Sequence, residues 1–155
     1  MSNDETGTND ASGPGAGDRV EEWRSRAAAV RAQYWRGTSK SGTGPPSNPM
    51  AELAPEFAQL MADISFGETY ANPRLDLKTR ALCTVSALVA LGEEAYAANW
   101  IGNALRAGAT PEEVVELLRQ LFFYLGSTRT LRGFAAAKAA FEEHRDRGVG
   151  DVLPP

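Results

Sequence analysis

An all-α fold is predicted by three features of the sequence. Apolar residues recur at three- and four-residue steps over long stretches, and no stretch alternates with the two-residue period of a strand. The breaks between those stretches carry helix punctuation: Asn48-Pro49, Asp76, Gly92, Gly108 and Thr110-Pro111-Glu112-Glu113. The segment from Asp76 to Gly126 reads as a packed pair of helices followed by a third, and the rest of the chain is organised around it. The expected architecture is a bundle of about six helices.

Taken in order, residues 1–18 hold Ser, Asn, Asp, Thr, Gly and Pro with almost nothing to bury, which predicts a disordered tail. Residues 19–147 form a single helical domain in this reading, and residues 148–155 a second tail. Within the domain, Val20, Trp23, Ala27, Val30 and Tyr34 recur at helical steps, so a helix is expected from Val20 to Arg36. It should dock an aromatic edge, through Trp23 or Trp35, on the core or on a neighbouring subunit. Gly37 to Ser47, with Pro45-Pro46, reads as an irregular linker. Asn48-Pro49 supplies an N-cap with proline at the first helical position, and Pro55 restarts a helix in the same way. That helix carries Phe57, Leu60, Met61 and Ile64 on one face and is expected to close at Gly67.

Asp76 caps the next helix, which is apolar over most of its circumference and should be the buried central one. Gly92 separates it from a helix that Gly108 ends. Thr110 to Glu113 has the spacing of a capping box, in which hydroxyl and carboxylate satisfy free backbone donors reciprocally. Thr128 to His144 reads as a last helix with a small face at Ala135, Ala136, Ala139 and Ala140.

Composition bounds the function. The 155 residues are 43% hydrophobic and 23% charged, ordinary for a globular domain. A net charge of −4 argues against a nucleic-acid binder. No run of about 18 apolar residues is present and the N-terminus lacks a signal-peptide pattern, so no membrane partner and a cytoplasmic location are expected. A lone cysteine, Cys83, among apolar neighbours reads as an inert buried thiol. The lone His144 lies in a charged helix end, where a cation suits the helix dipole. With one histidine and one cysteine no conventional transition-metal cluster is expected, and phosphate-binding glycine motifs are absent.

Carboxylate, arginine, tyrosine and amide chemistry remains. Glu68 ends an apolar helix, where partial burial would suit it to proton transfer; the plain alternative is a surface glutamate. Arg80 lies one turn into an apolar helix and needs a partner. It either pairs with Glu68 or Glu113, or anchors a substrate carboxylate. Tyr96, Asn99, Trp100 and Asn103 share one helix face, as a hydrogen-bonded seam or as a pocket wall. Gln120 and Tyr124 stand one turn apart and could face that stripe, with Arg129 and Arg132 nearby to admit an anion.

Four runs carry a family resemblance: Phe66-Gly-Glu68; Leu75-Asp-Leu-Lys-Thr-Arg80; Asn103-Ala-Leu-Arg-Ala-Gly-Ala-Thr-Pro-Glu-Glu-Val114; and Gln120-x-x-x-Tyr124-x-Gly126. In order and spacing, over residues 48–141, the chain resembles the carboxymuconolactone decarboxylase family, which shares the alkyl hydroperoxidase D-like fold. The resemblance implies an all-helical subunit in a dimer, trimer or hexamer, with a small-molecule substrate and no metal or organic cofactor. It carries the family's glutamate over to Glu68 and its arginine to Arg80.

Three departures matter. Glu93 and Tyr96 stand near the positions of the peroxidase branch's cysteine pair, so thiol peroxidase chemistry lacks its resolving thiol. Trp100 stands where the decarboxylase branch carries a histidine, and Ser127-Thr128-Arg129 departs from the family's usual turn. The leading expectation is therefore a cofactor-free lyase or isomerase with an altered reaction on a small lactone or keto acid. That reaction would be decarboxylation, dehydration, isomerisation or cyclisation, with a place in secondary metabolism. Glu68 moves the proton in this reading, and Tyr96 or Tyr124 holds an oxyanion. Arg80 or Arg129 holds a carboxylate, and Asn99, Trp100 and Asn103 line the wall. The alternative is a helical oligomer that binds a ligand without turning it over.

Overall fold

The computed structural model describes residues 15–34 and 49–146. Six α-helices and one π-helical run account for nearly all of them, and the described residues contain no strand. In chain order these are α1 (Ala16–Tyr34), α2 (Pro49–Leu53), α3 (Pro55–Ala62), the π-helical run (Asp63–Tyr70), α4 (Leu77–Leu91), α5 (Glu94–Arg106) and α6 (Pro111–Asp146). The fold is all-α, as the periodicity predicts. The Gly37–Ser47 linker, Trp35 and the tail from Gly148 lie outside the described residues. Helix α1 starts before the expected Val20, inside the stretch read as tail.

Local chemistry sets the helix ends. Asp76 accepts the Thr79 amide at 2.9 Å and the Thr79 hydroxyl at 2.7 Å, opening α4. Gly92 closes α4 with φ of 83°, a left-handed value that disfavours any residue with a Cβ. The capping box forms as expected: the Thr110 amide donates to Glu113 at 2.9 Å, and the Glu113 amide to the Thr110 hydroxyl at 3.2 Å. Lys78 then reaches Glu113 at 2.8 Å, tying the start of α4 to the start of α6. Inside α6, Gly126 has φ of 75° and ψ of 175°, so two helices meet there at a kink.

The main core lies between α4, α5 and α6, around Val85, Val89, Ile101, Val114, Leu118 and Phe141. Alanines at 97, 136, 137 and 140 let the backbones approach, and Gly133 packs on Leu118 and Val89. A smaller core of Ala81, Ala104 and Ala109 gathers Val30, Phe66, Tyr70 and Trp100. It joins α1 and the π-helical run to α4 and α5.

Three expectations are corrected. Helix α4 is not enclosed: it buries the stripe Ala81, Val85, Val89 and leaves Cys83, Ala87 and Leu91 exposed. Its three-sided apolar surface has partners on only part of its circumference. Cys83 is therefore an exposed thiol, not a buried one. Gly67 does not end a helix. It sits buried inside the π-helical run, where a Cβ would lie 2.0 Å from the Trp23 carbonyl oxygen. Glycine is needed there because a second helix backbone passes directly over it.

Candidate functional site

The π-helical run positions the candidate proton carrier. Its widened turn is marked by the Ala71 amide donating to the Phe66 carbonyl at 2.9 Å, five residues back. Helix α1 lies along this run. The Trp23 indole Nε1 donates to Glu68 Oε2 at 3.1 Å. Arg24 reaches Asp63 at 3.3 Å, and Arg31 stands 5.8 Å from the centroid of the Phe66 ring. Asp63 is only 1% exposed, and Gln59 Nε2 donates to its other oxygen at 2.7 Å. Glu68 itself is exposed in the single chain rather than half-buried. The π-helical turn directs Gly67 and Glu68 toward α1, and Phe66 and Tyr70 toward the small core.

Tyr70 connects this run to α5. Its ring lies 5.3 Å from that of Trp100 and 5.5 Å from that of Phe66. Its hydroxyl is 2.7 Å from the Thr84 hydroxyl, which also donates to the Arg80 carbonyl at 3.0 Å. Burial raises the phenol above its ordinary range, with the Thr84 contact and the nearby Arg80 charge opposing that rise in part. Trp100 thus stands at the far end of an aromatic stack that runs from Phe66 through Tyr70, the residues two positions before and after Glu68.

The stripe on α5 descends into the protein. Tyr96 is exposed, Asn99 and Trp100 are half-buried, and Asn103 is fully buried. Asn103 Oδ1 accepts a hydrogen bond from Arg106 Nη2. The side-chain nitrogens of Asn99 and Asn103 are buried without an acceptor.

The remaining candidates are engaged by other partners. Arg80 pairs with neither Glu68 nor Glu113: its Nε donates to the Leu75 carbonyl at 2.9 Å and its Nη2 to the Asn72 carbonyl at 3.0 Å. It fastens the turn between the π-helical run and α4, and Lys78 takes the place at Glu113. Arg129 donates to the Ala90 carbonyl at 2.6 Å and so caps the end of α4. Tyr124 and Gln120 do share a face, in an open groove of about 620 Å³ with Leu82, Glu113, Leu117 and Phe123. Glu68 does not line that groove.

Sequence reasoning passed over Trp23 as a partner of Glu68, and Tyr70 and Thr84 altogether. The i, i+4 spacing of Phe66 and Tyr70 was the available signal for the aromatic stack. Nothing local signals a contact between residues 23 and 68.

The described residues form an all-helical fold in which a carboxylate on the π-helical run, an aromatic stack and a pair of amides on α5 lie on neighbouring elements. The chain belongs to the carboxymuconolactone decarboxylase family, whose model matches residues 55–139. A 4-carboxymuconolactone decarboxylase from Acinetobacter baylyi is 29% identical over 94 residues, covering 61% of this chain and 68% of that protein. An uncharacterised 15.0 kDa protein from the nqo9–nqo10 intergenic region of Paracoccus denitrificans is 30% identical over 96 residues, 61% of this chain and 72% of its own length.

Proposed function

We propose that this chain is a cofactor-free lyase or isomerase that acts on a small lactone or keto acid by proton transfer at Glu68. The observation that carries this reading is the Trp23–Glu68 hydrogen bond of 3.1 Å. It fixes the carboxylate on the same π-helical run whose Tyr70 stacks on Trp100. A carboxylate held in one orientation is what abstraction of a proton beside a carbonyl needs. The bond from carbon to hydrogen breaks, its electron pair passes to the carbonyl oxygen as an enolate, and the carboxylate keeps the proton until it is returned or lost to solvent. Donors placed at that oxygen lower the barrier. Tyr96, at the outer end of the α5 stripe, is the donor proposed within the chain. Arg80 and Arg129 hold a substrate carboxylate only by leaving the backbone carbonyls they serve here.

Assembly belongs to the same proposal. Phe123 is 85% exposed and Tyr124 77%, which favours a homo-oligomer in which a neighbouring copy covers this face. Tyr124 would then meet substrate across a subunit contact.

The test is Glu68→Gln assayed on 4-carboxymuconolactone and a panel of related lactones and keto acids. Turnover should fall by about two orders of magnitude or more, with helicity and oligomeric state unchanged. Unchanged turnover rejects the role. The second reading, a helical oligomer that only binds a ligand, draws on the exposure of Glu68 in the single chain. It is the one to keep if the wild type binds members of the panel and converts none.

A further inference from the structure

We propose that the docking of α1 holds residues 63–70 in π-helical register, and that releasing α1 lets this run tighten to α-helix and swings the Glu68 carboxylate off its present face. The two elements then form one conformational switch. The lyase or isomerase reading supplies only the consequence, that the group so moved is the proton carrier.

The spacing of the anchors carries the inference. Trp23 and Arg24 are neighbours on α1, and their partners on the run, Glu68 and Asp63, stand five residues apart. Bonding from i to i+5 brings residues five apart about one turn above each other, on the same face. In an α-helix five residues advance by about 500°, which leaves the two side chains about 140° apart. Two adjacent α1 residues would then reach one carboxylate or the other, and not both. The double anchor exists only in the wider register, which the bond from the Ala71 amide to the Phe66 carbonyl marks at the end of the run.

The contact ties the two elements closely while burying little of α1. Helix α1 packs mainly on the run and touches α5 slightly. Among its described side chains only Ala27 is buried. Asp63, by contrast, is fully buried, held by Gln59 from its own helix and by Arg24 from α1. Withdrawing Arg24 would strand a buried carboxylate without its cation, which couples the run to α1. Gly67 adds backbone contact, since a Cβ there would lie 2.0 Å from the Trp23 carbonyl oxygen. A change in the twist of the run is therefore felt directly by α1. π-Helical geometry is rare on its own, and contacts made in one of two states set their populations. A helix with so little buried surface opens before the α4–α6 core does.

The experiment uses the full chain, and its switching variants are confined to α1, so any effect on the run is transmitted by docking. Trp23→Phe combined with Arg24→Leu removes both anchors. Ala27→Glu keeps the anchors and lifts the helix by placing a charge at its buried contact. Hydrogen–deuterium exchange reads the opening. Scalar couplings across hydrogen bonds identify the acceptor of the Ala71 amide: the Phe66 carbonyl in π register, the Gly67 carbonyl in α register. The wild type should couple to Phe66. In each α1 variant the amides of residues 16–34 and 63–70 should exchange faster together, by about tenfold or more, with α4–α6 unchanged. The Ala71 amide should then couple to Gly67. A Gly67 coupling in the wild type, unchanged exchange in both variants, or a released α1 with Ala71 still on Phe66 would each overturn the proposal. So would protection lost throughout the molecule in both variants, which would deny α1 and the run a separate opening. Glu68→Gln keeps an oxygen for the Trp23 indole and should keep the Phe66 coupling. Lost turnover in that variant, with the register indifferent to α1, would sink this inference and leave proton transfer standing. Full turnover, with the register following α1, would do the reverse.

Discussion

Tyr70 is the residue through which most of the cluster communicates. Its ring bridges Phe66 and Trp100, and its hydroxyl meets Thr84. Burial raises its phenol, so the folded chain keeps that proton to higher pH than the unfolded chain does. The stability this contributes is complete below the ordinary phenol value near 10 and is lost as pH rises through the raised folded value. Tyr70→Phe should therefore flatten the alkaline limb of a stability-against-pH curve while leaving the neutral region little changed. Urea unfolding at a series of pH values from neutral to strongly alkaline measures it. An alkaline limb that is the same in both proteins would show that other groups produce it.

At the scale of elements, α1 and the π-helical run act as one unit because Gly67 lets their backbones touch. A methyl group there would meet the Trp23 carbonyl oxygen at 2.0 Å, and rigid backbone cannot yield as a side-chain tip can. Gly67→Ala should cost about 1–3 kcal/mol as α1 shifts or lifts. The Trp23–Glu68 hydrogen bond and the Arg24–Asp63 pair should go with it. Chemical denaturation gives the energy, and a red shift of tryptophan emission reports the displaced indole. Full stability with native emission would mean the two backbones part at no cost.

The same element shows what a sequence can and cannot disclose. The Asp76 cap, the Thr110–Glu113 box and the glycines at 92 and 108 were legible because each is settled within a few residues. The π-helical run was not, since its shift from i→i+4 to i→i+5 bonding leaves no mark on the apolar period. The amide stripe on α5 was legible as a face, but its depth was not, because burial depends on what covers it. Arg80 was read as needing a partner. The partners proved to be backbone carbonyls, which have no identity in a sequence.

At the scale of the whole molecule, several large apolar side chains of the described residues face water. Phe123 is 85% exposed, Tyr124 77%, Leu91 70% and Leu131 67%. These positions flank the Gly126 kink and the end of α4. Single exposed apolar residues are ordinary, but large aromatic ones side by side mark a surface meant for contact. Phe122 and Phe123 already stack edge to face at 6.0 Å, which presents a preformed aromatic ridge. A second copy of the chain is the simplest cover, and burying Phe123 would stabilise the contact by about 1.5–3 kcal/mol per copy. Wild-type chain should then sediment well above its subunit mass of 16.6 kDa. Phe123→Asp should sediment as a single subunit with its helicity retained, because that side chain packs on little within its own chain. A wild type that sediments as one subunit at all concentrations would leave the ridge without a role in assembly and would take with it the proposal that Tyr124 reaches substrate across a subunit contact.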